Sequence, residues 1–346
     1  MQTLAYSPIF FPFDLTAFAE PNNLNVQTTL KNESGNDLSV EMKTYYEKRL
    51  IDMAEPNLVH DQFGDKYPIP AHGGKTIEFR KYSPLDKALT ALTEGVTPDG
   101  NKLDVQALEA TVSQFGDYIT ISDVLELTAI DRNIEQATKL LGSQAGRTLD
   151  TITRDIITAG TNVMFAPKAD GSEVLSREAI TEDCVLTVPM IFKAVAKLRE
   201  MNAVPIDGAY VGIIHPNVAT DLMLSDKWVD VHKYANPDNI YRGEIGMIGG
   251  VRFVQTTEAK IFGEAGGGTS VYATMIIGDN AYGVTDIEGG GLKHIVKQLG
   301  SAGTEDPLNQ RATTGWKAMK TAVRLVEEYM VRIEHACETN PTAKAN

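Results

Sequence analysis

One apolar stripe constrains the fold of this chain more than any other feature of its sequence. Between residues 127 and 156, apolar side chains recur at every third or fourth position, which is the spacing of one face of a helix. The positions are Leu127, Ile130, Ile134, Ala137, Leu141, Ala145, Leu149, Ile152 and Ile156. A coiled-coil helix has the same pattern, but Gly142 and Gly146 interrupt the stripe and no second long helix is predicted. We therefore expect a single long helix that lies across a sheet.

The ends of this helix are also marked in the sequence. Asp123 is a predicted capping residue, and Glu126 three positions later completes a capping-box pattern. Gly160 is a predicted stop. A helix from Val124 to Ala159 would be about 54 Å long, roughly three times the average helix.

The residues before the helix predict a long β-hairpin. Along Lys75–Tyr82, Ile77, Phe79 and Lys81 alternate with Glu78, Arg80 and Tyr82, as in a strand. A turn-rich stretch follows over 83–101, with Pro98–Asn101 as its clearest turn. Residues 107–115 and 117–122 predict the returning strand. Since a two-stranded ribbon is marginal in water, we expect the hairpin to pack on something else.

Residues 1–40 are aromatic and then polar, and they show neither a helical nor a strand period. Phe10, Phe11 and Phe13 belong to this segment, and a helix is predicted after it over 38–60. No Lys or Arg precedes Lys31, so the segment lacks the pattern of a signal peptide, and no stretch of the chain is apolar enough for a membrane span. The segment is either a tail packed on its own domain or an arm that docks on a neighbouring subunit.

From residue 187 onward the pattern is that of an α/β domain. A helix is predicted from Thr187 and Pro189 to Met201, with Ile191, Phe192, Val195 and Leu198 on its buried face. The other predicted elements are strands over 209–215, 250–255 and 271–277, a helix over 216–224, a short element over 292–299, and a final strand over 322–334 that Thr314–Lys320 leads into. We expect the tail from Ala336 to be mobile.

The glycine-rich segments do not match nucleotide-binding loops. Gly74-Lys75-Thr76 resembles the end of a phosphate-binding loop, but the first glycine of that motif would be residue 69, which is Ile69. Gly246–Gly250 and Gly289–Gly291 lack the spacing of a dinucleotide-binding loop. We interpret them as tight turns between strands.

The remaining chemistry-bearing residues do not form a recognisable site. The six histidines are scattered; His215 and His232 flank a helix and a loop, but a third ligand is missing, so structural roles are expected. Cys184 and Cys337 are expected to be reduced, buried thiols. Asp61 and Asp65 lack EF-hand spacing, although weak cation binding by so acidic a chain stays open. From its motifs, the sequence predicts no catalytic, cofactor-binding or metal-binding residue.

The charge balance restricts the partners of the chain. Lys and Arg number 32 against 46 Asp and Glu, so the net charge is −14. Such a chain is a poor candidate for general nucleic-acid binding, because phosphate contacts need clustered cations. Like-charged copies can associate only through buried apolar surface, with salt or cations screening the repulsion. The arm, the hairpin and the long helix cannot bury their own apolar surface, so the parts predict an assembly.

Six segments of the chain carry a family resemblance: Tyr210–Pro216, Asn239–Gly246, Gly249–Phe253, Asp279–Val284, Lys297–Gln310 and Gly315–Ala318. They resemble the major capsid proteins of tailed phages, in particular the family named after phage N4, which has the Hong Kong 97-like fold. The order of arm, hairpin, long helix, α/β domain and last strand is similar as well. The resemblance covers about residues 43–335 and is most specific in the last 140 or so.

The resemblance implies an α+β fold of the Hong Kong 97-like type, divided into five parts. They are an N-terminal arm (1–60), an extended loop formed by the β-hairpin (61–122), a peripheral domain with the long spine helix (123–187), an α/β axial domain (188–300), and a return to the peripheral domain with the final strand and tail (301–346). It also implies a non-catalytic shell subunit without cofactors. The shell would enclose double-stranded phage DNA and would be assembled in the host cytoplasm.

The implied partners are copies of the same chain, arranged as hexamers and pentamers, with a separate scaffolding protein, a portal and decoration proteins. Packaged DNA is contacted non-specifically at most, and no membrane is involved. The residues expected at contacts between subunits are Phe10, Phe11, Phe13, Ile77, Phe79, Tyr82, Leu85 and Leu103. Two other hypotheses stay open: an encapsulin-like compartment that holds a cargo enzyme, and an acidic enzyme whose site is not recognised.

Overall fold

The structure is a computed structural model. It describes residues 59–70, 72–82, 100–128, 133–225, 246–265, 268–285, 287–301 and 305–346, short pieces at 85, 87–89, 91, 94–95 and 97, and the backbone alone at 24–25, 126–128 and 133–135. The predicted arm with Phe10, Phe11 and Phe13, the predicted helix over 38–58 and His232 lie outside the described residues. None of the described helices is long and apolar enough to cross a membrane.

The chain divides into two compact units. One consists of Met1–Lys48, Asp117–Thr138 and Ile295–Gly315, and the other of Arg49–Gly116, Lys139–His294 and Trp316–Asn346. Each unit is therefore assembled from segments that are far apart in the sequence. The larger unit holds most of the buried apolar residues described below.

The predicted hairpin is confirmed, but its returning strand is shorter than predicted: residues 105–111 pair with the first strand, whereas residues 113–122 form a strand of another sheet. Strands β3 (Thr76–Tyr82) and β4 (Val105–Thr111) pair antiparallel, from Thr76 opposite Thr111 to Tyr82 opposite Val105. Along β3 the exposure alternates as the sequence predicts, with Ile77, Phe79 and Lys81 half-buried and the intervening side chains exposed. The hairpin forms a two-stranded sheet of its own.

The long helix lies where the stripe predicts it, but its capping residue is different. Helix α1 (Asp123–Thr128) begins the helical region and helix α2 (Asn133–Thr158) ends it, while residues 129–132 lie outside the described part. The Leu125 amide donates to Ser122 Oγ (3.2 Å), so Ser122 is the cap and the prediction of Asp123 was one residue late.

The buried face of α2 is apolar at first and polar towards its end. Ala137, Leu141, Ala145 and Leu149 are buried as predicted, whereas Ile152 and Ile156 are only half-buried. The buried positions that follow are Asp150, Thr153, Arg154, Ile157 and Thr158. After Leu149 the buried positions keep a step of four, to Thr153 and Ile157, whereas the predicted stripe takes a step of three to Ile152. Since a step of four exceeds the helical repeat of 3.6, the buried face rotates away from the predicted stripe.

Six strands form one sheet in the order β1–β5–β14–β12–β2, with β13 beside β14. Their bounds are β1 (Leu24–Asn25), β2 (Asp65–Lys66), β5 (Ser113–Ser122), β12 (Tyr282–Thr285), β13 (Lys293–Lys297) and β14 (Arg311–Arg324). In the smaller unit, Ile121, Leu125 and Ala137 form a small apolar cluster. Strand β13 is the short element predicted over 292–299.

Seven strands of the larger unit form a second sheet in the order β6–β15–β11–β7–β9–β8, with β10 beside β11. Their bounds are β6 (Val163–Phe165), β7 (Tyr210–Ile214), β8 (Met247–Ile248), β9 (Val251–Gln255), β10 (Ile261–Glu264), β11 (Ser270–Ile277) and β15 (Met330–His335). Strands β7 and β9 are parallel, whereas β11 is antiparallel to both β7 and β15. The predicted strands over 209–215, 250–255 and 271–277 are thus confirmed.

Two helices bury their apolar faces in the same core as this sheet. They are α3 (Val188–Glu200) and α4 (Pro216–Leu224), close to the predicted bounds. Ile191, Val195 and Leu198 of α3 are buried as predicted. Phe192 was assigned wrongly to that face: 54% of it is exposed, because its ring lies on the outer side of the helix against Gly249.

The predicted final strand is two strands in two different sheets. Strand β14 ends at Arg324, the amides of Leu325 and Val326 both donate to the Ala281 carbonyl (3.0 and 3.1 Å), and a 3₁₀ turn at Glu327–Tyr329 leads into β15. Both strands mix apolar and polar residues, so the sequence of side chains does not mark the break between them.

The prediction of a mobile tail was wrong. The Ser270 amide donates to the Pro341 carbonyl (2.7 Å), the Tyr272 hydroxyl donates to the Asn340 carbonyl (2.9 Å), and the Asp221 carboxylate accepts the amides of Glu338 and Thr339. Polar groups of α4 and β11 therefore hold the tail, although its own side chains are mostly exposed.

Candidate functional site

Both cysteines and three of the described histidines, His60, His215 and His335, are held inside the fold, whereas His72 and His294 are exposed. His215 Nδ1 accepts the Asn217 amide (3.2 Å) at the start of α4, and its ring packs edge-on against Tyr272 with 5.3 Å between centroids. Burial lowers the pKa of His215. Cys184 and Cys337 are free and buried, and burial raises the pKa of Cys337 to about 12. Among the described residues, no group of three His, Cys, Asp or Glu could hold a metal ion.

The glycine-rich segments that the structure describes are turns. Gly249 and Gly250 connect β8 to β9 with φ of +61° and +86°, which is backbone that favours glycine. Gly289 has φ of +79° in the turn between β12 and β13. These positions agree with the interpretation of tight turns between strands.

Five large apolar side chains are exposed at the far end of the hairpin, on the last residues of its strands and in the loop between them. Exposure is 58% for Tyr82, 57% for Leu85, 85% for Leu89, 71% for Leu103 and 46% for Val105. We call these five residues the hairpin tip. Apolar side chains grouped in this way mark surfaces that bind another protein.

One face of the hairpin, from its base to Lys81, is covered by other segments of the same chain. The rings of Phe79 and Tyr67 pack edge-on with 5.0 Å between centroids, and Lys81 Nζ lies 3.2 Å from Glu328 Oε2. The Val112 amide donates to the Lys75 carbonyl (2.8 Å) and closes the base. The structure therefore divides the residues expected at subunit contacts: Tyr82, Leu85 and Leu103 point to solvent, whereas Ile77 and Phe79 lie on the covered face.

A buried polar cluster beneath α2 was missed by the sequence analysis. His60 and Asp150 are 1% and 0% exposed, and His60 Nδ1 lies 2.7 Å from Asp150 Oδ2. Asp61 accepts from Thr153 Oγ1 (2.6 Å) and pairs with Lys320 of β14. The only hint in the sequence was the pair of polar positions 150 and 153 on the buried side of a long apolar helix.

One tyrosine completes this cluster. The Tyr282 hydroxyl donates to the His60 carbonyl, and burial, followed by the nearby charges of Asp61 and Asp150, raises the pKa of Tyr282 well above its ordinary value. The hydroxyl therefore remains a donor across the physiological range. The cluster joins the segment before the hairpin to α2, β12 and β14 through groups that satisfy one another.

A second buried ionic group lies in the seven-stranded sheet. Arg177 donates to both carboxylate oxygens of Glu334 (2.7 and 2.6 Å), and Arg332 Nε donates to the same carboxylate (2.8 Å). The Arg177 guanidinium also lies 3.5 Å above the ring of Phe262. The fork ties the 3₁₀ turn that carries Arg177 to strand β15, and its charges satisfy one another.

The sequence and the fold were compared with known proteins. Residues 105–332, about two thirds of the chain, match the family model described as phage capsid protein. No curated protein matches the chain. The matched range includes β4, both long-helix segments, the core of the α/β region and most of β15.

Several solved phage capsids have a similar fold. The capsid of Ralstonia phage GP4 is 12% identical, with a TM-score of 0.65, and the match covers 95% of this chain and 99% of that one. The capsid of cyanophage P-SCSP1u is 13% identical, with a TM-score of 0.63 and coverage of 87% and 93%. The capsid of cyanophage Pam1 is 13% identical, with a TM-score of 0.64 and coverage of 89% and 98%.

These two kinds of likeness agree. The similar structures extend over nearly the whole of this chain, and the family match includes the long helix and most strands of both sheets. The chain belongs to the phage capsid protein family.

Proposed function

We propose that this chain is the major capsid protein of a tailed phage and that its copies assemble into the icosahedral head around double-stranded DNA. The observation that carries the proposal is the family match over residues 105–332. The role is structural, and the virion is the location that follows from it. A separate scaffolding protein, a portal and decoration proteins are the further partners that such a head requires.

The finer assignment is the Hong Kong 97-like division of the chain. We assign residues 1–60 to the arm, 61–122 to the extended loop, 123–187 to the peripheral domain, 188–300 to the axial domain and 301–346 to the return. The two-stranded hairpin with its own sheet and the helix α2 support the second and third of these parts. The seven-stranded sheet supports the fourth.

Assembly in this proposal depends on the hairpin tip. Leu85, Leu89 and Leu103 expose most of their surface on the described chain, so burial against another copy would remove apolar area from water at about 25 cal/mol per Å². Because Leu85, Leu89 and Leu103 lie beyond the last paired residues, Tyr82 and Val105, one chain could place these leucines on neighbours at slightly different angles. The arm residues Phe10, Phe11 and Phe13 are proposed to make a second contact of this kind.

The test is to remove the tip. A chain that lacks Leu85–Val105, with a two-residue turn in its place, is expressed with its scaffold, and the particles are examined by electron microscopy. We expect a folded, soluble subunit that forms no closed shells. Normal shells from this variant would refute the assignment of the hairpin tip.

Two point variants make a sharper pair. Leu89→Ser is expected to reduce the yield of closed shells strongly, because 85% of Leu89 is exposed at the tip. Leu175→Ser is the matched control, since 84% of Leu175 is exposed outside the hairpin. Equal yields from the two variants would contradict the proposal.

The contents of purified particles separate a phage head from an encapsulin-like compartment. We expect particles from infected or induced cells to contain double-stranded DNA, as shown by nuclease-protected nucleic acid. A protein cargo in place of DNA would favour the compartment.

A further inference from the structure

The hairpin contacts its own unit through one face, which carries Ile77, Phe79 and Lys81 of β3 and the buried Ala110 of β4. On this face, the Phe79 ring packs edge-on against Tyr67, and Lys81 Nζ lies 3.2 Å from Glu328 Oε2. The opposite face of β3 carries Glu78 and Arg80, which pair with each other (3.3 Å) and are exposed. The aromatic contact and the ion pair of β3 therefore help to set the direction in which the hairpin leaves the unit.

The partners of Phe79 and Lys81 are themselves held firmly. The Tyr67 amide donates to the Val284 carbonyl (3.0 Å), and the Tyr67 ring covers Gly283, where a Cβ atom would lie 3.0 Å from the ring. Tyr67 is thus fixed on strand β12. Its ring therefore provides a fixed contact for the ring of Phe79.

Glu328 lies on the 3₁₀ turn between β14 and β15, the point at which the chain passes from one sheet to the other. Next to it, Glu327 accepts from the Thr161 hydroxyl (2.8 Å), just after the end of α2. The Tyr329 carbonyl accepts the Gly278 amide (2.9 Å). Glu328 is therefore presented by a turn that is fixed on both sides.

In contrast, the link from Lys81 to Glu328 is easy to break. The two side chains are 33% and 51% exposed, and exposed ion pairs are weak and are screened by salt. The pKa of Glu328 is lowered, first by a hydrogen bond from its own amide and then by Lys81, so the carboxylate is charged near neutral pH. The buried fork of Arg177 and Glu334 has no such exposure on its carboxylate side.

We propose that Lys81 and Glu328 are a positioning pair that sets the direction of the hairpin on the unassembled subunit and opens when the hairpin tip binds another copy. Phe79 on Tyr67 is the pivot of this movement. The part of the inference that concerns another copy rests on the proposed function. The part that concerns the free subunit does not.

The experiment measures the position of the tip on the full, unassembled chain. Spin labels are placed at Lys102→Cys near the tip and at Glu173→Cys in the same unit, and the distance between them is measured by electron spin resonance. Both native cysteines are buried, and the raised pKa of Cys337 further protects it from labelling. We expect one narrow distance distribution at low salt and loss of that single distance at high salt.

Three variants test the pair itself. Glu328→Gln is expected to abolish the single narrow distance at low salt. The charge-swapped double variant, Lys81→Glu with Glu328→Lys, is expected to restore it, which loss of general stability would not allow. Glu78→Gln removes the same charge from the exposed pair on the other face and is expected to change nothing. A narrow distance in Glu328→Gln, or an equal broadening in Glu78→Gln, would overturn the proposal.

A second readout separates this inference from the proposed function. The yield of closed shells is measured for the same variants with scaffold present, and Glu328→Gln is expected to change it while Glu78→Gln is not. Broadening by Glu328→Gln in a chain that forms no shells under any condition would refute the proposed function and support the positioning pair. An unchanged shell yield together with an unchanged distance would refute the positioning pair alone.

Discussion

His60 and Asp150 are ninety residues apart in the sequence and form a buried pair that is joined by two hydrogen bonds. The His60 amide donates to Asp150 Oδ1 (2.8 Å), and His60 Nδ1 lies 2.7 Å from Oδ2. Both residues are almost fully buried. The pair fastens the segment before the hairpin to helix α2.

Removal of Asp150 is expected to destabilise the subunit. In Asp150→Ala, the His60 amide and ring lose their acceptors inside the protein, and breaking a buried pair of this kind costs about 3–5 kcal/mol. Asp150→Asn keeps one oxygen and is expected to cost less. Urea unfolding of the unassembled chain measures both; equal and small losses would show that the pair does not stabilise the fold.

The buried stripe of α2 is tested by two neighbouring leucines. Leu141 is 2% exposed and Leu140 is 68% exposed. Leu141→Asp places a charge in the core and is expected to prevent folding, at a cost on the order of 4 kcal/mol or more. Leu140→Asp is expected to leave circular dichroism and solubility unchanged. A soluble, native-like Leu141→Asp chain would contradict the assignment. The same test at Ile134 falls on a side chain that the structure does not describe.

Gly116 on β5 leaves no room for a side chain. A Cβ atom there would lie 2.5 Å from the Trp316 carbonyl oxygen, which is backbone and cannot rotate away. We expect Gly116→Ala to lower the unfolding free energy by about 1–3 kcal/mol. Gly263→Ala is the control, because no atom lies within 4 Å of its Cβ position. Equal unfolding midpoints for the two variants would contradict the close approach of the backbone at Gly116 and Trp316.

The pH dependence of stability is expected to reflect His335. This side chain is fully buried between the Thr274 hydroxyl (2.9 Å) and the Ala336 carbonyl (2.8 Å). Burial lowers its pKa to about 4, despite the opposite effects of Asp221 and Glu334. The unfolded chain therefore binds a proton that the folded chain excludes. The stabilisation is complete above about pH 6.5 and is lost as the pH falls towards 4, by about 3 kcal/mol.

The measurement is urea unfolding at pH 7 and pH 4.5 for the native chain and for His335→Gln. The carboxylates titrate alike in both chains, so their difference isolates the histidine. We expect the native chain to lose more stability than the variant between the two pH values. Parallel pH profiles would argue against the lowered pKa.

Ionic strength is expected to favour shell assembly. Each copy carries a net charge of −14, so copies repel one another at low salt, and added salt shortens the range of that repulsion. Light scattering of the chain with its scaffold over a series of salt concentrations provides the measurement. Assembly that is strongest near zero salt would contradict this expectation.

The local sequence pattern was sufficient to predict those elements whose apolar side chains alternate along a strand or recur at the spacing of a helix. The alternation of Ile77, Phe79 and Lys81 and the burial of Leu141 and Leu149 were predicted from spacing alone, because a strand and a helix each repeat at a set period. The resemblance to phage capsids added the family, which the comparison confirmed.

Local pattern failed where partners are distant in the chain. The residues on both sides of the turn have strand-like sequences, yet the chain changes sheets at Glu327–Tyr329, where the amides of Leu325 and Val326 donate to the Ala281 carbonyl. The tail has few apolar residues and was expected to move, yet Asp221 and Tyr272 hold it through its backbone. The spacing of side chains does not record hydrogen bonds of this kind.

The sequence by itself determined the kinds of element, their order and the family, because these depend on periodicity and on short motifs that each segment carries alone. Only the tertiary structure decided which polar side chains meet, such as the buried His60 with Asp150 and the partly exposed Lys81 with Glu328. Those pairings depend on how segments many residues apart are brought together. The free energy of burying a polar group depends on the partner that it finds there, and a single segment does not specify that partner.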